Sequence, residues 1–408
     1  MTQSEILNKK NIPYLAIIFI VWLVTYIFCQ VVFEQKLGWD EVSYLTTARG
    51  IAENFDFSGR SHSIMGLIKY PFPQNTHHYP VYATYIAIFF KLFGVSLNVA
   101  YFSTWFACLL ACIFIYFTLV LLTGGNRKLS FFFGLSFLFL PKVTDYCDTA
   151  MMEVPGAALL SIVVFMVCRD VLRGKINPFL LAAFALLLFF YKSLFIGIFF
   201  GFIVIIFSNY LNLSLFLGTF AFLDVIFTKF IFLPMSPMFN FDPKTEAPDG
   251  TYADFLGGFL NDIAFNLTDN YRAFYDTVIK SYYPINTIFT PQSDAVFFMI
   301  PAWFELAIYY LSIFYVIVFA IMTWNKLKPE QRIFILFSVV SILSFNFIYV
   351  SIVGGGVGLI SRYNLIYTPL ILISVGCLLS SNYDYFKPFL TEHRKGFYFV
   401  IVSFILIV

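Results

Sequence analysis

IPYLAIIFIVWLVTYIFCQVVF, residues 12–33, followed closely by WDEVSY, residues 39–44, sets the class of this chain. The first stretch is predominantly apolar and long enough to cross a bilayer core, which takes about 17–25 helical residues. A helix is the natural state for it, because lipid offers no partners and every backbone N–H and C=O must be satisfied internally. The second stretch sets an acidic pair, Asp40 and Glu41, beside Trp39 and Tyr44, residue types that settle at membrane–water interfaces. Carboxylates held at that level can bind a hydroxyl, a cation or a sugar.

Working outward, the same apolar character recurs along all 408 residues. The composition is 60% hydrophobic and 12% charged, against roughly 25% charged for a soluble domain. Mean hydropathy is +0.83. The expectation is an all-α polytopic transmembrane bundle of about eleven spans, one domain over residues 1–408. The first run has no small-residue cleavage site and reads as a retained helix rather than a signal peptide; the last, 396–408, falls short of a full span. A net charge of +2 and the lack of a basic tract give no reason to invoke nucleic acid. Five of the six cysteines fall within or at the ends of apolar runs, and no CxxC spacing suggests a metal site.

Orientation follows from Lys and Arg in short loops. Lys9 and Lys10, then Arg127 and Lys128, then Arg169, Arg173 and Lys175, then Lys326, Lys328 and Arg332, and finally Lys387, Arg394 and Lys395 all fall on one side if the spans alternate. That side is read as cytoplasmic. The opposite side receives the first outer loop, 34–98, the short loop 141–150, the turn at Lys192, the long outer loop 234–301 and the turn 354–362. In the first outer loop Val42, Leu45, Ala48, Ile51, Ala52 and Phe55 recur at three- and four-residue steps, the mark of an amphipathic helix. A second such helix is expected over 81–93. Both suit the interface plane. The long outer loop carries eight acids against three bases and many Tyr, Phe and Asn, which suits a folded lid.

Several charges on that side stand out. Asp40 suits an N-cap and Glu41 a first-turn position, or else one of them serves as general base for an acceptor hydroxyl, a role worth about 10²–10⁴ in rate. The segment 141–155 holds Lys142, Asp145, Asp148 and Glu153. Asp145 and Asp148 also fit a solvated loop, but Glu153 falls inside the next span, where a carboxylate normally faces protein or a water-filled cavity. Lys192 interrupts an apolar stretch and suits an anionic ligand as a point charge, or snorkels to the interface. Arg362 and Tyr363 follow a triple glycine; the guanidinium fork matches phosphate, and an interfacial anchor pair is the plainer reading. His77 and His78 are a weak metal signal, since adjacent residues on a helix point apart.

Taken in order, these features resemble the GT-C type glycosyltransferases, the broad group that holds protein O-mannosyltransferases and bacterial lipid A aminoarabinose transferases. The resemblance rests on Asp40-Glu41 before an alanine-bearing helix, Tyr79-Pro80 ahead of Leu92-Phe93-Gly94, Glu153-Val154-Pro155, Lys192, and Arg362-Tyr363. It implies an all-helical enzyme of the bacterial inner membrane, with its site facing the periplasm or exterior, that uses a polyprenyl-phosphate sugar donor. It implies Asp40 as base, with Glu41 and Glu153 as further catalytic carboxylates and Lys192, Arg362 and Tyr363 at the donor phosphate. Lys142, Asp145, Asp148, His78 and Tyr79 stand as accessory candidates. Some members carry Glu-Lys-Pro-Pro where this chain has His78-Tyr79-Pro80-Val81, so their phosphate-contacting Lys is missing at Tyr79 and the load shifts to Lys192 and Arg362.

Physical chemistry points the same way. Transfer from a lipid phosphate needs a base for the incoming hydroxyl and cations for the departing phosphate, both at the membrane edge. The pattern calls for no cofactor, and a divalent metal is compatible with the acidic set. The partners are a polyprenyl-phosphate sugar and a lipid, glycan or protein acceptor. A transporter or flippase of an amphiphile stands as the alternative; it predicts charges near the midplane and a repeat of the two halves. A structural subunit is the third reading.

Overall fold

The computed structural model describes residues 9–32, 39–55, 81–192, 195–227, 302–348 and 363–382, and every regular element among them is helical. In chain order these are α1 (Ile12–Val32), α2 (Trp39–Asn54), α3 (Val81–Phe93), α4 (Leu97–Leu122), α5 (Arg127–Leu138), α6 (Pro141–Cys147), α7 (Glu153–Leu172), α8 (Pro178–Tyr191), α9 (Ile196–Ser208), α10 (Leu213–Ile226), α11 (Ala302–Thr323), α12 (Pro329–Ile348) and α13 (Thr368–Ser381). The long outer loop 234–301, the run 396–408 and the cluster Lys387, Arg394 and Lys395 lie outside the described residues.

Four helical stretches, Lys9–Val31, Leu97–Leu122, Glu153–Leu172 and Pro329–Ile348, are long and apolar enough to cross a membrane. The chain is an integral membrane protein. Helices α5, α8, α9 and α10 have 12, 14, 13 and 14 residues, so each is about 18–21 Å long at 1.5 Å per residue. Helix starts are set by local chemistry. Asn126, Asn177 and Asn212 each accept a hydrogen bond from a first-turn N–H, those of Leu129, Phe179 and Leu215, satisfying donors that a helix leaves open at its N-terminus.

The sequence made 141–150 a loop; its first seven residues instead form α6. Pro141 stands at the first helical position, where its fixed φ favours the helix and its missing N–H costs nothing. The two expected amphipathic helices are present as α2 and α3, packed on each other. Their stripes differ from the expectation at one end. Phe55 lies beyond α2 at φ 55° and is 74% exposed, while the buried face runs through Glu41, Tyr44, Thr47, Ala48, Ile51 and Ala52.

Among the described helices, the tightest contact joins α9 to α12. Gly197 and Gly201, one turn apart, face α12 so closely that a Cβ on Gly197 would overlap the Ser341 carbonyl oxygen and one on Gly201 the Ser341 hydroxyl. Small residues at four-residue spacing are what lets two helices approach when no hydrophobic effect drives them together. Gly197→Ala meets backbone, which cannot swing aside, so a loss of about 1–3 kcal/mol is expected. Thermal unfolding of detergent-solubilised protein reads it; an unchanged melting temperature would contradict the α9–α12 contact.

The two ends of the bundle differ in chemistry. At one, Asn11 Oδ1 accepts from Tyr116 Oη (2.9 Å) and Arg127 Nε (2.8 Å). Gln331 Nε2 donates there to the Leu122 carbonyl at 3.0 Å, and Ser381 Oγ to Gln331 Oε1 at 2.9 Å. This basic end holds Lys9, Lys10, Arg127 and Lys328. The other end holds Glu41, Asp148, Glu153 and Lys192.

Candidate active site

At that second end, α2 is fastened by Glu41. The side chain is 1% exposed, and its Oε1 accepts a short hydrogen bond from the Ala150 backbone N–H in the segment between α6 and α7. Helix α2 begins at Trp39, so Asp40 lies inside the first turn rather than at the N-cap suggested by the sequence. The side chain of Asp40 lies outside the described residues.

Asp148 closes the same segment against two spans. Its Oδ1 accepts from Trp105 Nε1 on α4 at 2.9 Å and from Gln30 Nε2 on α1 at 3.2 Å. Trp22 Nε1 in turn donates to the Trp105 carbonyl at 2.7 Å. Burial pushes the Asp148 carboxyl above its ordinary pKa, and the two donated hydrogen bonds pull it back in part. The buried Tyr101 ring lies within electrostatic reach of both Glu41 and Asp148. The solvated-loop reading of Asp148 is therefore replaced by an anchored one, because one indole and one amide donor from different helices converge on one oxygen.

Glu153 is the first residue of α7 and is fully buried. Tyr82 of α3 and Tyr191 of α8 lie within electrostatic reach of it. Their rings stand 5.9 Å apart, and Tyr44 meets Tyr82 edge-on at 5.0 Å. Tyr191 Oη donates to the Met152 carbonyl at 2.7 Å, which fixes the end of α8 beside the start of α7. Lys192 then leaves the helix in extended geometry at φ −159°. It is 9% exposed, and its Nζ stands over the Tyr363 ring, 5.4 Å from the centroid. That distance suits a cation–π contact.

The structure thus gathers Glu41, Asp148, Glu153, Lys192 and Tyr363 at one end of the bundle. Lys142 is half-buried on α6 at this end; the Asp145 side chain lies outside the described residues, as do His78, Tyr79 and Arg362. Among the described residues no group of three His, Cys, Asp or Glu side chains is placed to hold a metal ion. An apolar crevice lined by Leu122, Val167, Val171, Glu330 and Phe334 lies at the basic end, away from these groups. The sequence reading missed Tyr82, Tyr191 and the Asp148 donors, which looked like the many other aromatics of the chain. It also passed over Lys91, whose Nζ donates to the Ala52 carbonyl at 3.2 Å and stands 5.8 Å from the Phe55 ring centroid. The Tyr191-Lys192 pair, set like Arg362-Tyr363 at the edge of an apolar run, was the available signal.

No family model and no curated protein matches the chain. Among solved structures it is similar to ArnT from Cupriavidus metallidurans bound to undecaprenyl phosphate, at 15% identity over 91% of this chain and 77% of that one, with a TM-score of 0.41. The apo state of the same protein is similar at 14% identity over 91% of this chain and 76% of that one, again with a TM-score of 0.41. A likeness this distant carries no weight for what the chain does.

Proposed function

We propose that the chain is a membrane glycosyltransferase that moves a hexosyl or pentosyl group from a polyprenyl-phosphate donor to an acceptor hydroxyl, on the extracytoplasmic side of a bacterial inner membrane. The observation that carries this reading is the buried Lys192 ammonium on the Tyr363 ring, at the same end as Glu41, Asp148 and Glu153. A buried cation at the edge of apolar helices suits a phosphate whose lipid tail stays in the bilayer. Arg362, next to Tyr363 in sequence, adds a fork of donors suited to phosphate oxygens.

In the proposed reaction Asp40 accepts the proton of the acceptor hydroxyl. The new C–O bond forms at the anomeric carbon as the bond to the phosphate oxygen breaks, and polyprenyl phosphate departs with the electron pair. One displacement inverts the anomeric configuration. Lys192 and Arg362 stabilise the charge that grows on the leaving phosphate, the kind of fixed electrostatic contribution that is largest where water is excluded.

The test uses full-length protein in liposomes, supplied with polyprenyl-phosphate donors radiolabelled in the sugar and with lipid acceptors. Transfer of label with inversion is expected. Movement of intact donor between leaflets, with the sugar–phosphate bond never cleaved, would replace this reading with a transporter.

A further inference from the structure

Asn364 follows Tyr363 directly and precedes the 3₁₀ turn Leu365–Tyr367. It is 2% exposed, and among the described residues neither its Nδ2 nor its Oδ1 has a hydrogen-bond partner. Its backbone carbonyl is used in the ordinary way, accepting from Thr368 Oγ1 at 3.3 Å. The position lies in the layer that joins α7 to the α8–α9 junction. Around Gly156 of α7, the place of a Cβ is 3.1 Å from Tyr191, 3.5 Å from Phe195 and 3.7 Å from Ile366, two residues beyond Asn364. Lys192 stands over the ring of the preceding residue. A carboxamide buried without partners is uncommon in folded proteins, and each case asks for a group that completes it.

The chemistry of the two open ends narrows that group. A carboxamide brings two donors on nitrogen and an acceptor on oxygen. Phosphate ester oxygens only accept, so they would serve Nδ2 and leave Oδ1 unsatisfied. A polyprenyl chain would serve neither. Hydroxyls both donate and accept, so neighbouring hydroxyls on one ring satisfy both ends together. We propose that Asn364 holds hydroxyls of the donor's sugar and so takes part in choosing which sugar is transferred. This inference rests on the polyprenyl-phosphate reading above.

Leucine has the shape of asparagine without its polar ends, so Asn364→Leu removes the recognition and keeps the volume. Full-length protein in nanodiscs is titrated with undecaprenyl phosphate and with its glucosyl, mannosyl and arabinosyl esters. For whichever ester binds the unmodified protein most tightly, Asn364→Leu is expected to weaken binding about tenfold. Sugar-free undecaprenyl phosphate should bind unchanged, and the melting temperature should not fall. Asn364→Ala, read in the same way, covers the case in which the leucine variant does not fold.

Equal weakening of ester and sugar-free lipid would assign Asn364 a structural role and overturn the proposal. So would unchanged binding of both, which would mean that water completes the carboxamide. A third overturning result is that no ester binds the unmodified protein more tightly than the sugar-free lipid. Lys192→Met provides the separate control. If it and Arg362→Ala both bind sugar-free undecaprenyl phosphate normally, the phosphate reading fails at these residues, whatever Asn364 does to the sugar.

Discussion

Lys192→Met is expected to lower transfer by about 10²–10³-fold, the usual effect of removing one fixed charge stabiliser from a reaction centre. Methionine is apolar, unbranched and close to lysine in reach, so the buried position between Tyr191 and the Tyr363 ring stays filled. Lys192→Arg keeps the charge and should retain part of the activity. Arg362→Lys replaces a planar fork with a point charge and should already be badly impaired. Donor binding is the readout that separates causes, because acceptor KM should change little. Normal donor affinity in both Lys192→Met and Arg362→Ala would make these residues interface anchors, and the phosphate site would have to be sought near Lys142 or in the long outer loop.

The second large effect is a contrast between neighbours. Asp40→Asn is expected to reduce turnover by about 10²–10⁴-fold, the range for a lost general base, with the melting temperature unchanged. Glu41→Gln should be mild, because its amide oxygen can still accept from the Ala150 N–H. Glu41→Leu leaves that buried N–H without an acceptor, which costs about 1–3 kcal/mol, and the melting temperature should fall with activity. Under this view Glu41 positions the first turn of α2 against the segment before Glu153 and takes no proton. Should Glu41→Gln lose turnover as completely as Asp40→Asn while melting normally, its charge acts in the reaction and the positioning role is wrong.

Helix α3 was legible in advance over its full length, and α2 to within one residue, because apolar steps of three and four leave little choice of structure. The break at Lys192 was legible for the same reason: a charge does not continue an apolar helix without a partner. Helix α6 was not, since seven residues carry no periodicity and only Pro141 marks a start. The roles of Asp40 and Glu41 were not separable either. Consecutive residues on a helix point about 100° apart, and whether either turns inward depends on what α2 packs against. Gly197 and Gly201 show the same limit. Their spacing is plain in the sequence, while the partner helix α12 is far along the chain.

By itself the sequence determined an all-helical membrane protein with Lys9, Lys10, Arg127 and Lys328 set apart from Glu41, Asp148, Glu153 and Lys192. Those properties follow from composition, run length and alternation, which are local or additive along the chain. Only the tertiary structure decided that Glu41 grips Ala150, that Asp148 is held by α1 and α4, and that Lys192 stands on Tyr363. It alone left the Asn364 carboxamide buried with both ends open among the described residues. Each of these joins residues distant in the chain, and such pairs are chosen by how helices pack, through free energies that no single stretch of sequence contains.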